Sequence, residues 1–335
     1  MMKTLLVGAG SVGGTLAVLM QDGGVKLDVL EINEARAQSL REKGITLTGA
    51  KGEHTQKFDA YSSASELPGD YDICIIATKY QALLPALNGV MDKLSPDCIV
   101  AAVQNGLCID MIVPVVGADR AVGVMIGFGA TMLAPDRVEM TSGGEFYIGM
   151  ADGSHPPRLD TLREMFGKVL PTKISDDIRG RLWSKLIVNS CINATAAITG
   201  ETLGNIVSDK RARRRFLDIA REDYTVARAL GVKVPKYGAF LEYRALMLPR
   251  NRVYDALCEG VVMLVGKSKY AKVKPSTLQA LERGEKTEID IFNGYVAKKA
   301  AEVGVDAPVS VKITEMIREI ERGERKITPD NLNEF

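Results

Sequence analysis

In the first half of the chain, short apolar runs alternate with longer segments that carry apolar residues at helical spacing. The apolar runs show no polar alternation, which is typical of strands buried on both faces of a parallel sheet. This rhythm predicts an α/β fold with a doubly wound parallel sheet. The predicted strands are Leu5–Val7, Leu27–Leu30, Ile73–Ala77, Ile99–Val103 and Ala121–Ile126, and the predicted helices are Ser11–Gln21, Glu34–Lys43, Leu83–Lys93 and Cys108–Val115.

Two stretches depart from this rhythm. Ile45–Phe58 alternates polar and apolar residues around two glycines, and Arg137–Ile148 turns at Gly143-Gly144. Both patterns predict antiparallel excursions, and we expect the second one to cover an edge of the sheet.

From about Asp176 the strand pattern ends and long helical periodicities follow, separated by glycines and prolines. The second half is therefore predicted to be an all-α C-terminal domain. We place the boundary so that residues 1–175 form the α/β domain and residues 176–335 the helical, substrate-binding domain. The predicted helices are Leu182–Ala197, Lys210–Leu230, Tyr237–Leu246, Arg252–Val265, Pro275–Gly284, Thr287–Val303 and Val309–Arg322.

The composition excludes several classes of partner. A net charge of +1 and 46% hydrophobic residues predict neither a nucleic-acid-binding nor a membrane-binding surface. The basic run Lys210–Arg215 could contact an anion or a partner. We favour a solvated helix face or a subunit contact, because nothing else in the chain is basic enough to form a binding groove.

The five cysteines are scattered, without a CxxC pair or the spacing of metal ligands. They predict reduced thiols in a cytoplasmic protein without a metal site. No signal peptide or apolar run of transmembrane length is visible. The second domain has enough apolar helices to support a homodimer.

The most informative motif is the glycine-rich turn Gly8-Ala9-Gly10-Ser11-Val12-Gly13, which follows the first strand and opens the first helix. In this geometry Gly8 permits the tight turn, Gly10 lets the backbone approach a pyrophosphate, and Gly13 lets the helix pack closely on the sheet. The helix N-terminus then offers N–H groups to the phosphates. The motif predicts an N-terminal Rossmann-type domain that binds a dinucleotide.

Glu31, at the end of the second strand, lies at the expected spacing for the acidic residue that binds an adenosine ribose. A carboxylate accepts hydrogen bonds from a free 2′-hydroxyl and repels a 2′-phosphate, so Glu31 favours NAD(H) over the alternative, NADP(H). The competing interpretation is a solvated charge, with Arg36 acting as a phosphate ligand.

If the protein uses the dinucleotide to reduce a ketone, a lysine is the expected proton donor, because neither His54 nor His155 lies where a strand end or an inter-domain helix would present a catalytic acid. Lys185, Asn189 and Asn193 recur every four residues and share one face of an otherwise apolar helix. Buried polar groups of this kind are unfavourable without partners, and a polar substrate would supply them. From the residues alone, asparagines that satisfy backbone groups explain the pattern about as well.

A larger set of motifs carries a family resemblance. It comprises the glycine-rich turn, Ala77-Thr78-Lys79-Tyr80-Gln81, Gln104-Asn105-Gly106, the Lys185 helix, and Thr287-Glu288-Ile289-Asp290 with Asn293-Gly294. Over nearly its whole length the chain resembles the ketopantoate reductase (2-dehydropantoate 2-reductase) family. The resemblance implies an NAD(P)-dependent oxidoreductase that reduces 2-dehydropantoate to pantoate, as in pantothenate biosynthesis.

The resemblance also implies residue roles. Lys185 would be the general acid that protonates the carbonyl oxygen as hydride arrives, and Glu288 would bind the substrate hydroxyl and help to hold the lysine. The implied substrate ligands are Asn189, Asn193, Ser276 and Asn105. The implied cofactor ligands, beside the glycine-rich turn and Glu31, are Lys79, Asn105 and Glu288. Without the resemblance, Glu288 could equally stabilise a helix start and Ser276 could cap one.

Departures from the family pattern keep two alternatives open. Extra residues between Pro235 and Ser276, with a lysine-rich stretch at Lys267–Lys274, allow a related 2-hydroxyacid dehydrogenase that acts on another branched or aromatic 2-oxo acid. Glu31 replaces the basic or neutral residue common in NADP-using members. The alternative from another class is a non-catalytic, dinucleotide-sensing regulator that uses the Lys210–Arg215 helix.

Overall fold

The computed structural model describes residues 2–237, 242–247, 260, 271 and 274–335. The chain forms two compact units, Met1–Leu182 and Trp183–Phe335. They divide inside a long helix, whereas the predicted boundary at residues 175 and 176 lies just before that helix. The predicted helix Arg252–Val265 lies, apart from Gly260, outside the described residues, as does part of Tyr237–Leu246.

The first unit carries twelve strands among its described residues. They are β1 (Thr4–Val7), β2 (Asp28–Leu30), β3 (Ile45–Gly49), β4 (His54–Gln56), β5 (Asp59–Tyr61), β6 (Tyr71–Ile76), β7 (Leu94–Ala102), β8 (Ala121–Met125), β9 (Gly129–Ala134), β10 (Arg137–Ser142), β11 (Phe146–Met150) and β12 (Thr172–Ile174). Eight of them form one sheet in the order β12-β11-β8-β7-β6-β1-β2-β5. All neighbours in this sheet are parallel except β8 and β11.

Five helices connect these strands: α1 (Ser11–Asp22), α2 (Glu34–Glu42), α3 (Leu83–Val90), α4 (Ile109–Val116) and α5 (Pro157–Gly167). The predicted doubly wound parallel sheet is confirmed. The chain leaves β1 in one direction towards β2 and returns to β6 on its other side. This switch in strand order makes the carboxyl end of β1 the expected place for a ligand.

Burial explains why the central strands lack polar alternation. Leu6 of β1 pairs with Ile75 of β6, and both side chains are fully buried. Helix α1 buries every residue from Gly13 to Met20, because it contacts β1 of this sheet as well as β3, β4, β9 and β10, which belong to a second sheet. A strand covered on both faces gains from apolar residues at every position.

The remaining four strands form a small sheet in the order β4-β3-β10-β9. The predicted antiparallel excursion at residues 45–58 is confirmed as the β3–β4 pair. The predicted antiparallel excursion at residues 137–148 is confirmed only in that both of its strands have an antiparallel partner: β10 pairs with β9, and β11 pairs with β8 in the main sheet. The two strands do not pair with each other, and β12, not this segment, forms the edge of the main sheet. Gly143-Gly144 therefore connects two sheets instead of two paired strands.

The described part of the second unit is helical, as predicted. It contains α6 (Ile178–Thr199), whose first residues belong to the first unit, followed by α7 (Leu203–Ser208), α8 (Lys210–Ala229), α9 (Ser276–Glu282), α10 (Asn293–Val303) and α11 (Pro308–Glu321). Its core includes Tyr243, Phe292 and Trp183, all nearly inaccessible to solvent. The Trp183 ring lies 5.8 Å from that of Tyr295, which connects α6 with α10.

The described residues were compared with the requirements for a membrane span, a metal site and disulfide bonds. No helix there is long and apolar enough to span a bilayer. No group of three or more His, Cys, Asp or Glu side chains in that part of the chain is arranged to hold a metal ion. The described cysteines are buried free thiols: Cys74, Cys98, Cys108 and Cys191. Cys258 lies outside the described residues.

Candidate active site

The glycine-rich turn has a different physical requirement at each glycine. Gly8 has a φ of +90° and its N–H donates to the Leu30 carbonyl over 2.9 Å. A Cβ on Gly13 would lie 2.0 Å from the Gly8 carbonyl oxygen, so only glycine allows this approach of α1 to the turn. A Cβ on Gly10 would meet no protein atom within 4 Å. The protein therefore leaves open space beside Gly10.

The start of α1 is suited to an anion. Its N-cap residue, Gly10, provides no side-chain hydrogen bond, and the first turn contains no acidic residue. The N–H groups at the helix start are therefore not occupied by a capping side chain, and no carboxylate in the first turn would repel an anion. Ser11 and Val12 are half-buried there, and Ala9 is fully buried. This arrangement fits the pyrophosphate of a dinucleotide.

Glu31 is not a solvated charge at a strand end, because its side chain is only 12% exposed. One carboxylate oxygen accepts from the Ala9 N–H over 3.4 Å, and the other accepts from the Asn33 N–H over 3.3 Å. Arg36 donates to the Ala9 carbonyl and lies 3.8 Å from the Glu31 carboxylate. The acid at the end of β2 is thus tied directly to the glycine-rich turn.

The segments after β6 and β7 reach the same edge of the sheet. Lys79 is exposed and begins a short 3₁₀ turn, and Asn105 is half-buried beside Gly106, whose φ is +74°. Gln104 donates to the carbonyls of Ile76 and Thr78 over 3.0 and 2.9 Å. Because β1, β2, β6 and β7 are parallel neighbours, the predicted cofactor ligands of this unit lie at one edge.

In the second unit, Lys185 interacts electrostatically with Glu288. Burial lowers the pKa of Lys185 to about 8, and the attraction of Glu288 opposes this shift. The sequence left open which of the two effects is stronger, and the structure favours burial. A lysine with a pKa near 8 can donate a proton below that pH and accept one above it.

Thr287 fixes the backbone around Glu288. Its N–H donates to the Glu321 carboxylate over 2.8 Å, and its hydroxyl accepts from the Ile289 N–H over 3.2 Å. Glu288 occupies the N-cap position of the 3₁₀ turn Ile289–Ile291, but its side chain makes no capping hydrogen bond. The carboxylate is therefore not used to stabilise the start of that turn.

The polar stripe on α6 connects two helices. Asn193 is buried, and its amide donates to the Asn189 carbonyl over 3.1 Å. Its amide oxygen accepts from the Ser276 hydroxyl over 3.1 Å and from the Thr277 N–H over 3.2 Å. Asn193 thus holds the start of α9 against α6. Within this unit the structure brings Asn193 together with Asn189 and Ser276, and brings Lys185 close to Glu288.

Two contacts within the predicted site were not predicted from the sequence. Gln104 belongs to the motif Gln104-Asn105-Gly106, and its position two residues after the end of the buried strand β7 is a signal that could have identified the contact. The contact of Arg36 with Ala9 spans 27 residues, and nothing in the local pattern indicates it.

The glycine-rich turn of the first unit fits a dinucleotide, and the second unit holds a lysine whose pKa burial lowers to about 8. These features are typical of nicotinamide-dependent oxidoreductases, and that is the class of protein that the fold defines. Models of two parts of one family match the chain: Ketopantoate reductase PanE/ApbA over residues 4–153 and Ketopantoate reductase PanE/ApbA C terminal over residues 177–321. The chain belongs to the ketopantoate reductase family. The non-catalytic regulator is therefore not favoured.

Curated relatives match over their full length. The 2-dehydropantoate 2-reductases of Mesorhizobium japonicum and Archaeoglobus fulgidus are each 26% identical to this chain. Each alignment covers 96% of the chain, with 99% and 98% of the respective relative. The family and these relatives agree with the resemblance found in the motifs.

Solved structures share the fold. A PanE/ApbA family ketopantoate reductase from Ralstonia eutropha has a TM-score of 0.80 at 24% identity, with 97% of this chain and 100% of that chain covered. A ternary structure of D-mandelate dehydrogenase with NADH and anilino(oxo)acetate has a TM-score of 0.79 at 21% identity, with 99% and 100% covered.

Proposed function

We propose that this protein reduces a 2-oxo acid, with 2-dehydropantoate as the expected substrate and pantoate as the product, in pantothenate biosynthesis. The observation that carries the proposal is Lys185, whose pKa burial lowers to about 8 near Glu288. The family and the names of the curated relatives support the substrate.

The protein's own residues supply the acid step. The glycine-rich turn and Glu31 would hold a nicotinamide dinucleotide, which in its reduced form would supply the hydride for the carbonyl carbon of the substrate. As the carbonyl electron pair moves onto oxygen, the Lys185 ammonium donates a proton to that oxygen, and the hydroxyl of the product forms. Glu288 favours the charged form of the lysine and binds a substrate hydroxyl. The neutral lysine then regains a proton from solvent.

The remaining site roles follow the same proposal. Asn189, Asn193 and Ser276 bind polar groups of the substrate, with Asn193 also holding the Ser276 hydroxyl in place. Lys79 and Asn105 contact the cofactor, and Asn105 also binds the substrate. We also propose that the protein forms a homodimer, which size-exclusion chromatography with light scattering would test, and that it is cytoplasmic.

We propose NAD(H) as the preferred cofactor. Glu31 is fixed by two backbone N–H groups at the end of β2, where its carboxylate can accept from a ribose 2′-hydroxyl and would repel a 2′-phosphate.

The test is nicotinamide oxidation with 2-dehydropantoate, with NADH and NADPH in parallel. Lys185→Ala should lose turnover by about a thousandfold, within the range typical of a general acid, and still bind NADH. Lys210→Ala, an exposed lysine on α8, is the matched control and should retain full turnover. Oxidation with a branched or aromatic 2-oxo acid but not with 2-dehydropantoate would show the reaction class to be right and the substrate wrong.

A further inference from the structure

The Glu31–Arg36 pair holds both backbone groups of one residue in the glycine-rich turn. Glu31 accepts from the Ala9 N–H, and Arg36 donates to the Ala9 carbonyl. The adenosine-binding acid and an arginine from the first turn of α2 therefore meet on the residue between Gly8 and Gly10.

The pair is largely shielded from water, and the arginine has donor capacity left. The Arg36 and Glu31 side chains are 13% and 12% exposed, and their charged groups lie 3.8 Å apart. The Arg36 Nε is buried and has no hydrogen-bond partner among the described residues. A buried guanidinium that is only partly satisfied favours a further anionic partner.

We propose that Glu31 and Arg36 act as one specificity unit in which Arg36 is a latent ligand for an adenosine 2′-phosphate that Glu31 masks. With Glu31 present, the pair is neutral overall and the carboxylate faces the ribose, so a 2′-hydroxyl is accepted and a phosphate is repelled. Without that carboxylate, the guanidinium remains fixed on the Ala9 carbonyl as a positive charge at the same strand end. The inference rests on the proposed dinucleotide site and goes beyond the proposed preference for NAD(H).

The experiment measures Kd for NADH and NADPH by nicotinamide fluorescence in the wild type and five variants. Glu31→Gln should bind NADPH about tenfold more tightly than wild type and NADH about tenfold less tightly, each equivalent to about 1.4 kcal/mol. Arg36→Met added to Glu31→Gln should abolish the gain for NADPH. The single variant Arg36→Met should raise the ratio of the NADPH Kd to the NADH Kd, because Glu31 loses its neutralising partner.

The matched control is Glu34→Gln, which removes an exposed carboxylate from the first turn of α2 and leaves the contacts of Ala9 intact. It should leave both Kd values within about twofold of wild type. An equal gain for NADPH in Glu34→Gln would mean that overall charge explains the effect, and the proposal would be wrong.

Two further outcomes would overturn the proposal. One is a double variant that binds NADPH as tightly as Glu31→Gln, since relief of repulsion alone would then account for the gain. The other outcome applies if Glu31→Gln does not fold. It is a ratio of the NADPH Kd to the NADH Kd that is the same in Arg36→Met, Arg36→Lys and wild type. Because the readout is binding, a failure to reduce any 2-oxo acid would overturn the proposed reaction and leave this inference testable.

Discussion

Lys185 determines the pH range over which the proposed reduction can run. Only its ammonium form can donate the proton, and burial lowers its pKa to about 8. We expect kcat for reduction to be level below pH 8 and to fall about tenfold per pH unit above it. The measurement is kcat at saturating substrate from pH 6 to 10, and a level profile through this range would exclude Lys185 as the acid.

Glu288 should shift that profile through its charge. It raises the pKa of Lys185 against the effect of burial, so Glu288→Gln should move the fall in kcat to lower pH. Glu282→Gln, an exposed carboxylate on α9, provides the control with an unshifted profile. A Glu288→Gln profile that overlays the wild type would mean that the two groups do not interact during turnover.

Asp223 should make the second unit less stable as pH rises. Burial, with a smaller contribution from the charge of Glu222, raises the pKa of Asp223 well above its usual value. The folded state therefore keeps this proton to a higher pH than the unfolded chain does. The penalty is absent below about pH 4, the ordinary pKa of the group, and grows as the pH rises.

Asp223→Asn removes this titration. The variant should match the wild type at low pH and be more stable than the wild type at pH 8, as measured by denaturant unfolding. Asp306→Asn, at an exposed position of the same unit, should leave the pH dependence unchanged. Parallel stability curves for wild type and Asp223→Asn would contradict the argument.

At the scale of elements, the turn between β1 and α1 separates packing from ligand binding. Gly13→Ala should destabilise the first unit by about 3 kcal/mol, because its Cβ would meet a backbone carbonyl that cannot move aside. Gly10→Ala should melt like the wild type and bind NADH at least about tenfold more weakly, because its methyl group fills the space left for the cofactor. Thermal melting and NADH titration of both variants test the pair. Equal loss of stability in the two variants would contradict this division.

Sequence patterns predicted elements best where one physical cause dominates. The turn from Gly8 to Gly13 and the four-residue spacing from Lys185 to Asn193 were visible because strand, turn and helix each leave a short-range signature. The predicted helix Thr287–Val303 instead contains a 3₁₀ turn and a break at Phe292. Apolar spacing continues across this break, because Phe292 must be buried whichever way the backbone turns.

The glycines at 143 and 144 show where local sequence patterns fail to predict the structure. A Cβ on Gly144 would lie 2.4 Å from the Gly127 carbonyl oxygen, so this glycine is needed for contact with a distant segment. A glycine pair has the same appearance in a sequence whether it makes a hairpin turn or a close approach of backbones. The contacts of Arg36 and Gln104 were missed for the same reason, since their partners are distant in the chain.

At the scale of the whole molecule, NADH should stabilise the first unit, which is proposed to bind it, more than the second unit. NADH at a hundredfold excess over its Kd should add about 2.7 kcal/mol of stability, roughly 5–10 °C in Tm for a unit of this size. Lys185→Ala should keep this increase in Tm, and Gly10→Ala should lose at least about half of it at the same NADH concentration. Differential scanning fluorimetry with added NADH tests both, and loss of the increase in Lys185→Ala would place the lysine in dinucleotide binding.

The position of Trp183 gives the protein a built-in optical label. It is the one tryptophan of the chain, it is buried against Tyr295, and it lies two residues before the proposed acid. Its emission therefore reports the packing of α6 on α10. No second tryptophan contributes to the signal. Unfolding of the second unit can be followed by this fluorescence in the native, unlabelled enzyme.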